Sequence, residues 1–386
     1  YWSFTLTDGA LRMLVVLYFH SLGYSPLEVA LLFLFYEIFG VVTNLVGGWL
    51  GAHLGLNKTM NIGLCLQVLA LLMLLVPSGM LSGAWVMAAQ ALSGIAKDLN
   101  KMSAKSAIKF LVPKEEQGSL YKWVALLTGS KNALKGLGFF LGGLLLSLLG
   151  FQLSVLVMAV FLGVVWLVSL FSLKQDLGKT KLKPKFSELF SNSRAINFLS
   201  AARMLLFASR DVWFVVAIPV YLSTQLAWNH WQVGTLLATW VILYGFVQAR
   251  APAITGARRG RLPDGKTAVY WALPLIFSPV LMLLFLRAGF DPQYVLISGL
   301  LLFGFFFAVN SSVHSYLIVS YAREDGASLD IGFYYMANAS GRLLGTVLSG
   351  WLYQAQGLTA CLAVSAVMIA ICTLISLGLP KHQMRS

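Results

Sequence analysis

The stretch "LSVLVMAVFLGVVWLVSLFSL", Leu153 to Leu173, holds no charged residue and matches the ~20 apolar residues that carry a helix across a bilayer. Similar runs recur on both sides of it along the whole chain. By the same length rule they make about twelve spans, with cores at 1–20, 26–50, 59–76, 84–106, 119–149, 153–173, 195–222, 233–251, 267–286, 294–320, 329–353 and 359–379. Composition points the same way. Of 386 residues, 58% are hydrophobic and 11% charged, and the mean hydropathy is +0.78, whereas soluble domains average roughly a quarter charged. The expected fold class is an all-α integral membrane protein, not the alternating strands of an outer-membrane barrel.

The net charge of +14 would suggest nucleic acid in a soluble protein, but here the cations sort into loops and helix interiors, and no nucleic-acid partner is expected. Lys58, Lys114, "KQDLGKTKLKPK" (174–185), "GARRGRLPDGK" (256–266), Arg323 and the tail "PKHQMRS" (380–386) fall on one side of the spans. The opposite loops "PSGMLSGA", "GFQLS", "TQLAWNHW" and "YQAQG" hold no Lys or Arg, with Arg287 the nearest exception. The positive-inside rule then makes both termini cytoplasmic, in a multi-pass protein of the inner (plasma) membrane. Tyr1 already stands inside an apolar segment, so an N-terminal piece is expected to have been trimmed.

The longest polar segment, 174–194, reads as a cytoplasmic linker between a bundle of six spans over 1–173 and another over 195–386. Its ordinary role is to set topology, with attraction to anionic headgroups as a by-product. "SLYKWVALLTGSKNALKG" (119–136) and "SLDIGFYYMANASGRLLG" (328–345) share their leading Ser-Leu and terminal Gly at matching distance. Two six-helix halves around a central path is an architecture of secondary transporters. Cys65, Cys361 and Cys372 lie singly in apolar runs and read as packing residues; no metal site or cofactor is expected. Glu28, in the capping box "SPLE" from Ser25, and Asp291, before Pro292, read as helix caps.

Charges remain that belong neither to caps nor to loops. An ionisable side chain near the centre of a span costs roughly 2.5–3.5 kcal/mol on insertion scales and normally faces water or a partner. The interior set is Asp8, Arg12, Glu37, Lys97, Asp98, Lys101, Lys105, Lys131, Lys135, Arg203, Arg210, Asp211 and Arg342. Cations outnumber carboxylates about two to one, so pairing alone leaves a positive surplus. In "KDLNKMSAKSAIK", Lys97, Lys101, Lys105 and Lys109 recur at every fourth residue and stack on one helix face, where like charges repel. At ~1.5 Å per residue, Arg12, Lys97, Lys101, Lys131, Arg210 and Arg342 fall in the middle third of their spans, too deep for snorkelling.

Arg12, Lys97, Lys101, Lys105, Lys131, Lys135, Arg210 and Arg342 are therefore candidates to bind an anion, assisted by Asn132, Asn310, Tyr335 and Asn338, whose amides and phenol hydrogen-bond oxyanions without adding charge. Asp8, Glu37, Asp98, Asp211 and His314 are candidates for proton coupling. Asp8 and Arg12 at i, i+4 read equally as a structural ion pair. Glu37 has no cation three or four residues away and requires either a raised pKa or a partner on another helix. Arg210 and Asp211, adjacent in sequence, are expected on different faces and not to neutralise each other.

The arrangement resembles the major facilitator superfamily. "GGWLGAHLGLNK" (47–58) resembles its loop pattern G-x-x-x-D-[RK]-x-G-R-[RK], with Ala52 in place of the Asp and Leu56 in place of the Arg. "GFFLGG" (138–143) resembles an antiporter pattern with Phe139 in place of Pro. More narrowly, "TLTDGALRMLVVLYFHSLGYSP", "ALSGIAKDLNKMSAKSAIK", "TGSKNALKGLGFFLGG" and "SRAINFLSAARMLLFASRDVWFVVAIPVYL" closely resemble the organoarsenical efflux permeases of that superfamily, and the likeness runs over nearly the whole chain. The resemblance implies export of 1-arseno-3-phosphoglycerate and thereby arsenate resistance. It also implies a functional partnership with glyceraldehyde-3-phosphate dehydrogenase, which makes that ester when arsenate replaces phosphate. The expected function is proton-coupled secondary transport by alternating access, with a monomer in the lipid bilayer binding a small anionic substrate. The alternative is another anion: a sugar phosphate, inorganic phosphate or an anionic drug. An enzyme is disfavoured, since no nucleotide loop, metal-spaced cluster or nucleophile with its base is present in the sequence.

Overall fold

The computed structural model describes residues 1–24, 26–113, 116–173, 177–179, 193–257 and 262–381. Ser25 of the expected capping box, Lys114, most of the linker 174–194, the arginines of "GARRGR" and the end of the basic tail lie outside the described residues.

The chain is an all-helical membrane protein with about twelve spans. Helices α1 (Trp2–Ser21), α4 (Leu56–Met73), α5 (Gly83–Leu111), α9 (His230–Ile254), α10 (Gly265–Arg287) and α11 (Pro292–Tyr321) each correspond to one apolar run of the sequence. Helix α6 (Gln117–Ser172) holds two spans that meet at Gly150, and α12 (Ala327–Ser376) holds two that meet at Gly357. Both glycines have positive φ, 71° and 77°, a conformation that other residues adopt only at a cost.

Two spans expected as single helices are broken. The segment 26–50 divides into α2 (Pro26–Leu31) and α3 (Leu34–Leu54), with Phe33 at φ −99°, ψ 2° between them. The segment 195–222 divides into α7 (Arg194–Phe214) and α8 (Ala217–Thr224). Pro219, within α8, has no N–H to give the Val215 carbonyl four residues back, which favours a break there. Asp291 caps α11 as expected, accepting from the Gln293 amide at 2.8 Å. Asn229 with Gln232 and Asp264 with Thr267 form capping boxes at the starts of α9 and α10 that the sequence reading passed over.

One compact unit comprises 1–111, 130–190 and 323–336. Its core gathers Leu11, Leu14, Phe19, Leu71, Phe151 and Leu162. Glycines bring its helices to backbone contact: a Cβ on Gly142 would strike the Ala10 carbonyl, and one on Gly94 would lie 2.5 Å from the Tyr36 carbonyl oxygen. The second unit comprises 112–129, 191–322 and 337–386, with Trp213, Trp240, Phe303 and Phe307 in its core. There, Gly341 and Gly345 press α12 against the Met204 and Ala208 carbonyls of α7. Cys361 and Cys372 are buried in this helical packing, and Cys65 is half-buried in the first unit.

Candidate functional site

In the first unit the lysine stripe of α5 meets α1, α3, α6 and the start of α12. Asp98 is buried between two lysines, with its Oδ1 2.5 Å from the Lys101 Nζ and its Oδ2 3.6 Å from the Lys97 Nζ. Gly40 on α3 leaves room for this carboxylate, since a Cβ there would lie 2.7 Å from the Asp98 Oδ2. Lys105 donates to the Tyr335 hydroxyl at 2.6 Å, and the Nζ atoms of Lys101 and Lys105 lie 5.0 and 4.8 Å from the same ring. The Lys97 Nζ lies 3.7 Å from the Tyr36 ring centroid. Aromatic faces thus take up part of the charge that one carboxylate cannot balance.

Lys131 on α6 completes this group. It forms no hydrogen bond or ion pair among the described residues, and Lys97, Lys101, Lys135 and Asp98 are the charged groups around it. Like charges gathered in this way repel one another, and an anion placed among them is attracted by each. Lys135, one turn further along α6, lies 5.9 Å from the Phe139 ring, and its backbone packs against Gly9 of α1. Asn132 is half-buried on the same helix.

The other charges of this unit pair differently from either simple expectation. Asp8 and Arg12 do not join along their helix. Asp8 accepts the Tyr36 hydroxyl through both oxygens, at 2.8 and 3.0 Å, while the Arg12 Nη1 reaches the Glu37 Oε1 at 3.5 Å. Glu37 accordingly has its partner on another helix.

In the second unit Asp211 is fully buried, with the Arg210 Nε 2.6 Å from its Oδ1 and the Arg342 Nε 3.5 Å from its Oδ2. This corrects the expectation that Arg210 and Asp211 point apart: the long guanidinium arm bends back to its neighbour while its planar head lies 4.8 Å from the Phe207 ring and 5.3 Å from that of Phe307. Arg203, two turns earlier on α7, donates through Nε to the Asn338 Oδ1 at 2.9 Å and through Nη1 to the carbonyl and hydroxyl of Ser311. Gln248 links that hydroxyl to Tyr244. Asn310 donates its amide to the Ala268 carbonyl of α10 at 3.0 Å, a helix-to-helix contact. His314 is fully buried, and neither ring nitrogen has a hydrogen bond among the described residues.

The sequence reading counted Arg203 among the interior charges but gave it no role, and it passed over Tyr36. The signal for Arg203 was present, because spacing i, i+7 sets it on the face of Arg210. No local pattern announces Tyr36, whose partners stand on α1 and α5.

The sequence profile of the Major Facilitator Superfamily matches residues 1–327. In fold the chain is similar to a bacterial homologue of the iron transporter ferroportin in an outward-facing state, at TM-score 0.79 and 16% identity over 97% of this chain and 96% of that one. It is similar also to the human organic anion transporter MFSD10 (TETRAN), at TM-score 0.74 and 16% identity over 97% of each chain. The transporter FucP in its outward conformation gives TM-score 0.74 and 13% identity over 97% of this chain and 96% of that one. At such identities the likeness is one of fold. A comparison with curated proteins finds no match. With its apolar spans, its charges held inside the helical packing and a profile that runs through most of its length, the chain belongs to the Major Facilitator Superfamily of membrane transporters.

Proposed function

We propose that this transporter exports an organic arsenate or phosphate ester, 1-arseno-3-phosphoglycerate, and so confers arsenate resistance. The observation that carries the reading is the gathering of Lys97 and Lys101 about the single buried carboxylate of Asp98, with Lys105 one turn on at Tyr335 and Lys131 facing the group from α6. A cluster of that sign is suited to an oxyanion and repels a metal cation. Lysines bind as mobile point charges, which suits a site that must also release its cargo, whereas Arg210 and Arg342 supply planar forks for a second anionic group. In this reading the ligand set is Arg12, Lys97, Lys101, Lys105, Lys131, Lys135, Arg210 and Arg342 with Asn132, Asn310, Tyr335 and Asn338.

The substrate itself rests on the resemblance of the α1, α5, α6 and α7 sequences to organoarsenical efflux permeases. The ester arises when glyceraldehyde-3-phosphate dehydrogenase takes arsenate in place of phosphate, so that enzyme is the functional partner. Two six-span bundles, 1–173 and 195–386, joined by the linker 174–194, work by alternating access as a monomer in the inner membrane, with both termini in the cytoplasm. Proton coupling runs through one or more of Asp8, Glu37, Asp98, Asp211 and His314.

A second reading keeps the anion and changes its identity to a sugar phosphate, inorganic phosphate or an anionic drug. The positive surplus favours it equally, and one protein of the same fold is named as an organic anion transporter. Uptake of the arsenylated ester into everted vesicles, in competition with phosphate esters and inorganic phosphate, separates the two. Preferential uptake of the ester, abolished when the pH gradient is collapsed, is the expected result. Uptake of phosphate esters alone supports the second reading, and uptake insensitive to the gradient rejects proton coupling.

A further inference from the structure

We propose that Tyr36 is a positioning residue of the anion site, its ring carrying the Lys97 ammonium and its hydroxyl tying that ring to Asp8. The inference rests on the lysine cluster of α5 and α6 being that site. Tyr36 is 2% exposed, yet it is more than filling. The Lys97 Nζ stands 3.7 Å from its ring centroid. The Arg12 guanidinium lies 5.4 Å from the same ring. The hydroxyl meets both oxygens of the Asp8 carboxylate, which anchors the far end of the ring.

The backbone is fixed as well. Gly94 brings α5 against α3 at Tyr36 itself, where a Cβ would lie 2.8 Å from the Tyr36 Cα. Lys97 follows within one turn, so its stem leaves α5 directly beside the ring. A lysine has four rotatable carbons and drifts toward water when nothing holds its head. Here the head is held between an aromatic face and Asp98, 3.6 Å away. The ring contributes attraction without a negative charge that would compete with the cargo for the cation. A purely structural tyrosine accounts for the burial and for the Asp8 bond, but leaves the ammonium on its face without a reason.

The test is calorimetric binding of 3-phosphoglycerate to the purified full chain, at fixed ionic strength, in a double-mutant cycle. Tyr36→Leu removes the ring and is expected to weaken binding about tenfold, whereas Tyr36→Phe keeps the ring and is expected to lose no more than about threefold. Both losses vanish in a Lys97→Gln background if Tyr36 acts through Lys97. Wild-type binding by Tyr36→Leu, or losses that multiply with Lys97→Gln, overturns the proposal. If Tyr36→Leu is not recovered from membranes, Tyr36→Met, which also removes the ring while filling much of its volume, is read by the same criterion. Lys131→Gln separates the two levels. If it abolishes binding while Tyr36→Leu leaves it unchanged, only the role of Tyr36 falls. If the folded wild-type chain takes no phosphate ester, the anion site falls and this inference with it.

Discussion

The carboxylate of Asp98 lies 2.5 Å from the Lys101 ammonium one turn along α5, and the same carboxylate meets Lys97 at 3.6 Å. One acid thus serves two bases. Asp211 repeats the relation in the second unit, between Arg210 and Arg342. In both places two cations converge on one carboxylate, and an anionic passenger is suited to join such a group.

Replacing Asp98 by Asn removes the carboxylate these two lysines share. Breaking a buried ion pair costs about 3–5 kcal/mol, because the surviving charge is uncompensated. D98N is expected to melt below the wild type, and a phosphate ester should restore more of its melting temperature than it adds to the wild type's. Thermal unfolding in detergent, with and without 3-phosphoglycerate, reads both effects. Equal ligand-induced shifts in the two proteins would count against an oxyanion standing in for the carboxylate.

Tyr335 offers a milder perturbation. Its hydroxyl accepts from Lys105 at 2.6 Å while its ring faces both Lys101 and Lys105. Tyr335→Phe keeps the ring and removes a charge-assisted hydrogen bond, for which about 1.5–3 kcal/mol is typical. Transport kinetics should show a raised KM with kcat largely retained, and a fall in kcat at unchanged KM would place the hydroxyl in the conformational step instead.

Arg203 is expected to matter for stability first. Its fork reaches Asn338 and both polar atoms of Ser311, and its head lies 4.1 Å from the Phe207 ring. Lysine cannot reproduce that planar pattern. Arg203→Lys should lose about 1–3 kcal/mol, visible as a lowered melting temperature of the purified protein.

Two glycines predict opposite outcomes for one methyl group. A Cβ on Gly142 would collide with the Ala10 carbonyl, whereas one on Gly163 would meet nothing within 4 Å. Gly142→Ala should destabilise by about 1–3 kcal/mol, and Gly163→Ala should be neutral or slightly stabilising through its helix propensity. Yield and melting temperature of the pair check the α1 and α6 contact.

Much of this fold was legible because the requirement is local. A span such as 153–173 declares itself by length and lack of charge alone, without knowledge of its neighbours. The break near Phe33 was less visible, since it interrupts an apolar run with no polar residue to mark it, and the one near Val215 is marked only by Pro219. Charges inside the spans were legible as anomalies, but their partners were not. Glu37 looked unpaired from its own helix and meets Arg12 of α1, and Arg210 turns to the neighbour it was expected to avoid. Helical spacing records what shares a face, and says little about how a long side chain bends or what another helix presents.

The central claim, that the lysine cluster of α5 and α6 holds the anionic cargo, is tested most directly by uptake of 1-arseno-3-phosphoglycerate into everted vesicles bearing wild-type, Lys101→Gln or Lys131→Gln protein at matched membrane abundance. The account predicts saturable uptake by the wild type and a loss of about tenfold or more in each variant, as expected when a charge-assisted contact to an anion is removed. Wild-type uptake by both variants would contradict it.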